Sequence, residues 1–110
     1  HALIGFDSEP PYVRSALASL PAGLRTLSRE SFALRSDSDL AQLALLRCGA
    51  GIGVCQVPLA NRDPALLRVL PTRFSMQLDA WVTMHEDLRH SPRCRVAFDA
   101  LAAGLRDYLG

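Results

Sequence analysis

The stretch from Ser36 to Pro58 constrains the fold more tightly than any other part of the chain. It opens with Ser36-Asp37-Ser38-Asp39, four short polar side chains suited to accept hydrogen bonds from the free N–H groups at a helix start. Leu40, Leu43, Ala44 and Arg47 then recur at helical spacing. Cys48-Gly49 ends that helix, because glycine enters the left-handed conformation past a last turn without steric cost. Ile52-Gly53-Val54-Cys55-Gln56-Val57 follows as an apolar run that reads as a buried strand stopped at Pro58. A capped helix feeding directly into a buried strand is the repeating unit of an α/β sheet.

The flanking residues extend the same alternation. Ala2-Leu3-Ile4-Gly5-Phe6 is a short apolar strand, and Asp7-Ser8-Glu9-Pro10-Pro11 starts a helix, with Asp7 or Ser8 as cap and proline in the first turn. Val13, Ala16, Leu17 and Leu20 carry that helix to Pro21 and Gly23, and residues 21–31 form a mixed connector. Phe32 to Arg35 reads as a short half-buried strand preceding the capping candidates Ser36 to Asp39. Beyond Pro58, residues 59–62 form one helical turn, while Leu66 to Leu70 and Leu78 to His85 read as two further strands. In the second of these, Trp81 is expected to pack in the interior. Last comes the clearest helix, with Ser91 as cap, Pro92 in the first turn, and a stripe of Cys94, Ala97, Phe98, Leu101, Leu105, Tyr108 and Leu109. An α/β sheet with at least partly parallel strands is therefore expected, and its ligands bind beyond the carboxyl ends of the strands.

Composition narrows the function classes. Apolar residues make up 49% of the 110 and charged residues 21%, enough for a packed core. No apolar run reaches the ~18 residues of a membrane span, and no signal peptide is visible, so no membrane partner is expected. Twelve arginines and eleven acids leave a formal charge of +1, which argues against a nucleic-acid-binding surface on these residues. Cys48, Cys55 and Cys94 are odd in number and widely spaced, and read as free thiols packed among apolar residues. His85-Glu86-Asp87-Leu88-Arg89-His90 resembles a zinc-protease signature, but a five-residue spacing puts the imidazoles about 140° apart on a helix. That excludes a shared metal, and the segment reads as a solvated loop. Gly49-Ala50-Gly51-Ile52-Gly53 closes a helix and opens a strand, the reverse of a dinucleotide-binding loop. No catalytic set, metal site or cofactor site is thus expected.

Taken in order, these motifs resemble the effector-binding domain of LysR-type transcriptional regulators. The resemblance rests on residues 36–48 and 49–58, supported by Ala-Leu-Ile-Gly-Phe-Asp (2–7), Asp-Pro-Ala-Leu-Leu-Arg-Val-Leu-Pro (63–71), Leu-Asp-Ala-Trp-Val-Thr-Met-His (78–85) and residues 87–101. It implies a periplasmic-binding-protein-like (type II) fold, with residues 1–77 as the second lobe and 78–110 as the returning strand and C-terminal helix of the first. The chain starts at His1 with an apolar run at once, and is expected to be the interior of a longer cytoplasmic protein. DNA would be held by a winged helix-turn-helix outside these residues. Within them, the resemblance places a polar or carboxylate-bearing effector against Ser36, Asp37 and Ser38, with Phe6, Asp7 and Gln56 as further contacts. It also implies a homo-oligomer and no enzymatic activity. The alternatives are a solute-binding lobe of a transport protein and an enzyme on the same fold.

Overall fold

A computed structural model describes residues His1–Gly110. The elements are strand β1 (Ile4–Gly5), helix α1 (Pro11–Ala18), strand β2 (Leu34–Arg35), helix α2 (Asp39–Arg47), the short helix α3 (Val57–Ala60) and helix α4 (Pro92–Leu109). Single 3-10 turns at Ala22–Leu24, Arg29–Ser31 and Glu86–Leu88 punctuate the connectors. The chain divides into two compact units, His1–Met76 and Gln77–Gly110.

In the first unit β1 pairs in parallel with β2, Ile4 opposite Leu34 and Gly5 opposite Arg35. On its other edge β1 meets a third parallel segment at a single bridge, Leu3 to Ile52. The Ile4 N–H donates to the Ile52 carbonyl at 2.8 Å, and the Ile52 N–H to the Ala2 carbonyl at 2.9 Å. β1 is therefore the middle of three parallel segments, with the later two on opposite sides. This order reverses direction at β1, the kind of switch point at which α/β sheets hold ligands.

Close approach around β1 depends on glycines. A Cβ on Gly5 would sit 2.5–2.9 Å from the Phe32 ring, so only a hydrogen there lets the phenyl group cover the strand. Gly51 faces the Ala2 carbonyl, and a Cβ on Gly53 would lie 3.1 Å from Ile4 Cβ and 3.3 Å from Leu46 Cδ2. The glycine cluster is packing material beside β1. Ile4 and Leu20, 2% and 4% exposed, are the fully buried apolar side chains.

α2 starts at Ser38, whose Oγ accepts from the Ala41 N–H at 3.3 Å, and stops at Cys48. Gly49 has φ +73°, the Gly49 N–H donates to the Leu46 carbonyl and the Ala50 N–H to the Leu45 carbonyl, both at 3.0 Å. That pair of bonds is a Schellman closure. The inward face differs from the expected Leu40–Leu43–Ala44–Arg47 line: Leu40 is 79% exposed and Gln42 is 6% exposed. The helix is turned so that Gln42 Nε2 reaches the Ser36 carbonyl at 2.7 Å and Leu46 lies over Gly53.

Several expected elements are absent. α1 starts at Pro11 with Pro10 at the cap position and no side-chain cap, so neither Asp7 nor Ser8 caps it: the helix begins too far along the chain for either to stand at its first free N–H groups. The run 52–57 makes one bridge, and Val57 and Pro58 enter α3, where Pro58 fits the first turn instead of ending a strand. Leu66–Leu70 is not a strand, since the Ile52 segment is bridged only to β1 and offers it no ladder. Leu70, at φ 53°, turns the chain into hydrogen bonds from Arg73 and Phe74 to its carbonyl.

In the second unit, residues 78–85 are not part of a sheet. Trp81 is 81% exposed, so the expected interior position is corrected: no layer covers that side of the segment. Pro92 opens α4, but the Ser91 hydroxyl makes no capping bond. Cys94, Phe98, Ala102, Leu105 and Tyr108 are half-buried, while Ala97, Leu101 and Leu109 face outward. An Arg95–Asp99 pair at 3.2 Å braces the outer surface.

Candidate functional site

The corner where β1 and β2 end gathers five of the six expected residues. Parallel pairing puts both carboxyl ends at the same edge, and the Ser36 N–H donates to the Gly5 carbonyl at 3.0 Å. From there Phe6-Asp7-Ser8 leaves towards α1 and Ser36-Asp37-Ser38 leads into α2.

Asp37 ties the two exits together. Its Oδ1 accepts the main-chain N–H groups of Asp7 and Ser8, each at 2.9 Å. The Ser8 N–H bond, the largest contribution, with help from Asp7 and the Arg29 charge, holds the Asp37 carboxyl below its usual pKa although burial opposes this. Asp7 in turn is clamped by Arg29: Nη2 to Asp7 Oδ1 at 2.6 Å and Nε to the Asp7 carbonyl at 2.6 Å. Arg35 Nε stands 3.5 Å from the same Oδ1. The Phe6 ring meets Tyr12 of α1 edge-on at 6.1 Å, bringing the helix back over the strand end.

Ser36 and Ser38 shape the entry to α2. Ser36 Oγ accepts from the Ser38 N–H at 3.2 Å, and the Ser36 carbonyl is held by buried Gln42. With Asp39 in the first turn, the corner carries three carboxylates against the guanidinium groups of Arg29 and Arg35. It is exposed and hydrogen-bonded, a place for a polar group to be held by hydroxyls and main-chain atoms.

Gln56 lies elsewhere. It precedes α3, four residues past the Ile52 bridge, and so belongs to the segment on the edge of β1 opposite β2.

Three contributors were not evident from sequence. Gln42 reads as a polar break in an apolar helix; its signal was a lone amide amid Leu and Ala, which a buried position obliges to find a partner. Arg29 and Arg35 lie in and beside a connector whose path the sequence does not define. Among the other reactive groups, Cys48, Cys55 and Cys94 are free thiols, and burial raises the Cys55 pKa. His85 Nδ1 accepts from the Asp87 N–H at 3.2 Å in an exposed turn. No group of three or more His, Cys, Asp or Glu side chains is arranged to hold a metal ion, and no helix is long and apolar enough to cross a membrane. No protein-family model, curated protein or solved structure matches the chain.

Proposed function

We propose that the chain is the small-molecule effector-sensing part of a LysR-type transcriptional regulator, cytoplasmic and without enzymatic activity. In this reading effector binding shifts the angle between two lobes, and the oligomeric regulator passes that change to DNA through a winged helix-turn-helix. The observation that carries it is the Asp37 bridge: one side chain at the start of α2 holds the loop leaving β1, so a ligand that reorganises either exit is felt by both. The motif order across residues 2–101 supports the family, and the exposed polar corner supports a small polar ligand.

The test is Ser36→Ala in the full-length protein, read in a promoter-reporter assay with small polar metabolites and carboxylates as inducers. Loss of one hydrogen-bonding hydroxyl should raise the half-maximal inducer concentration about tenfold, with basal DNA binding unchanged. An unchanged response to the true inducer removes Ser36 from the site. A signal peptide upstream of His1 would replace the reading with that of a secreted solute-binding protein.

A further inference from the structure

The peptide joining Asp7 to Ser8 is held from two sides. On one side its Ser8 N–H, with the Asp7 N–H beside it, donates to Asp37 Oδ1, each at 2.9 Å. On the other its carbonyl accepts from Arg29 Nε at 2.6 Å, while Arg29 Nη2 grips Asp7 Oδ1 at 2.6 Å. The N–H and C=O of a trans peptide point in opposite directions, so a guanidinium on the carbonyl orients and polarises the Ser8 N–H as a donor. Two successive N–H groups converging on one oxygen are an arrangement by which main-chain turns hold anions. With Arg29 behind it, this donor pair does not depend on Asp37 for its orientation.

Asp37 itself is lightly attached. Its side chain is exposed, and Asp7 and Ser8 are its hydrogen-bond partners. The structure around it is closed by other atoms: the Ser36 N–H bonds to the Gly5 carbonyl, Gln42 to the Ser36 carbonyl, and Ser38 Oγ caps α2. Turning the Asp37 carboxylate into water therefore breaks neither the strand pair nor the helix start.

We infer that Asp37 is a tethered stand-in for a ligand carboxylate, and that a small carboxylate acts on this corner by displacing it from the Asp7 and Ser8 N–H groups. This rests on the effector-sensing reading above and gives that site its ligand class. One carboxylate replacing another leaves the charge at the donor pair unchanged, and the released Asp37 regains its water. The exchange unties the start of α2 from the loop leaving β1, which is the movement a sensor needs. A carboxylate tethered this closely competes at an effective concentration of roughly millimolar, so free carboxylates bind weakly until Asp37 is removed.

The probe is sodium acetate, with sodium chloride at equal ionic strength as control, added to the 110-residue chain and to its Asp37→Ala and Asp37→Asn variants. The amide resonances of Asp7 and Ser8 are followed by NMR. In Asp37→Ala they should shift saturably with acetate, at a half-saturation roughly tenfold below that of the parent. Asp37→Asn keeps a neutral acceptor of the same shape, should fall between the two, and decides the matter against the parent if the alanine variant does not fold. Equal half-saturation in parent and variants, the same shifts with chloride, or no shift at Asp7 and Ser8 would each overturn the displacement. None of these signals reads transcription: acetate binding alongside an unchanged Ser36→Ala response removes the regulator and leaves the carboxylate site, and the opposite pair of results removes the site and leaves the regulator.

Discussion

At Asp37 a single carboxylate oxygen accepts two consecutive main-chain N–H groups, and this gives the corner a pH dependence of definite sign. The folded pKa lies below the unfolded value of about 3.9, so the stabilisation is fully present above that value and is lost as pH falls through the folded pKa. Glu30, lowered chiefly by a main-chain bond, and Asp63, lowered chiefly by Arg47, titrate in the same acid window. Asp37→Asn isolates one of the three: thermal melts of the variant should show lower stability at neutral pH and a shallower loss below about pH 4. Equal acid slopes in parent and variant would mean that the carboxylate charge contributes nothing. The same contact bears on ligand choice. An anion entering between Asp7 and Ser8 competes with a carboxylate already tethered there, whereas a neutral polar ligand at the hydroxyls of Ser36 and Ser38 does not.

Helix α2 illustrates what could and could not be read from local pattern. Its Gly49 stop and its start among Ser36 to Asp39 follow from backbone chemistry that any isolated segment would share; the stop stands where the sequence puts it, and of the four capping candidates it is Ser38 that caps. Its buried face does not, because the choice between Leu40 and Gln42 is made by the Ser36 carbonyl and by Gly53, which lie outside the helix. Strands fail for a related reason: Leu66–Leu70 and Leu78–His85 are apolar enough, but a strand exists only when a neighbour completes its hydrogen bonds. The corner was legible in Phe6, Asp7 and residues 36–38 because strand ends and helix starts converge in α/β order; of the arginines beside it, Arg29 comes from a connector with no periodicity, and Arg35 from the end of β2, where nothing local assigns it a partner. For the helix stop, Gly49→Ala places a Cβ in left-handed backbone and should cost about 1–2 kcal/mol. Urea denaturation should show this as a lower midpoint with an unchanged slope. A variant as stable as the parent would mean that the Schellman closure tolerates a side chain.

For the molecule as a whole, stability rests on few side chains. Ile4 and Leu20 are the fully buried apolar residues, both in the first unit, and Ile4 also sits in the middle strand, which the other two parallel segments flank. Ile4→Ala should cost about 2–5 kcal/mol, a large fraction of the 5–15 kcal/mol typical of domains. Loss of protected amides at Ile4, Leu34 and Ile52 by hydrogen exchange is the expected readout, with α4 in the other unit retaining its protection. Retention of the three strand amides would place the core elsewhere. The central position of β1 has a further consequence, in time instead of energy. Its partners, Leu34 and Ile52, are made 30 and 48 residues after Ile4, so at 5–20 residues per second an apolar strand waits roughly two to ten seconds on the ribosome before its second edge is covered. During synthesis the apolar run 2–6 therefore stands as an open strand edge for a chaperone to hold until Ile52 has been made.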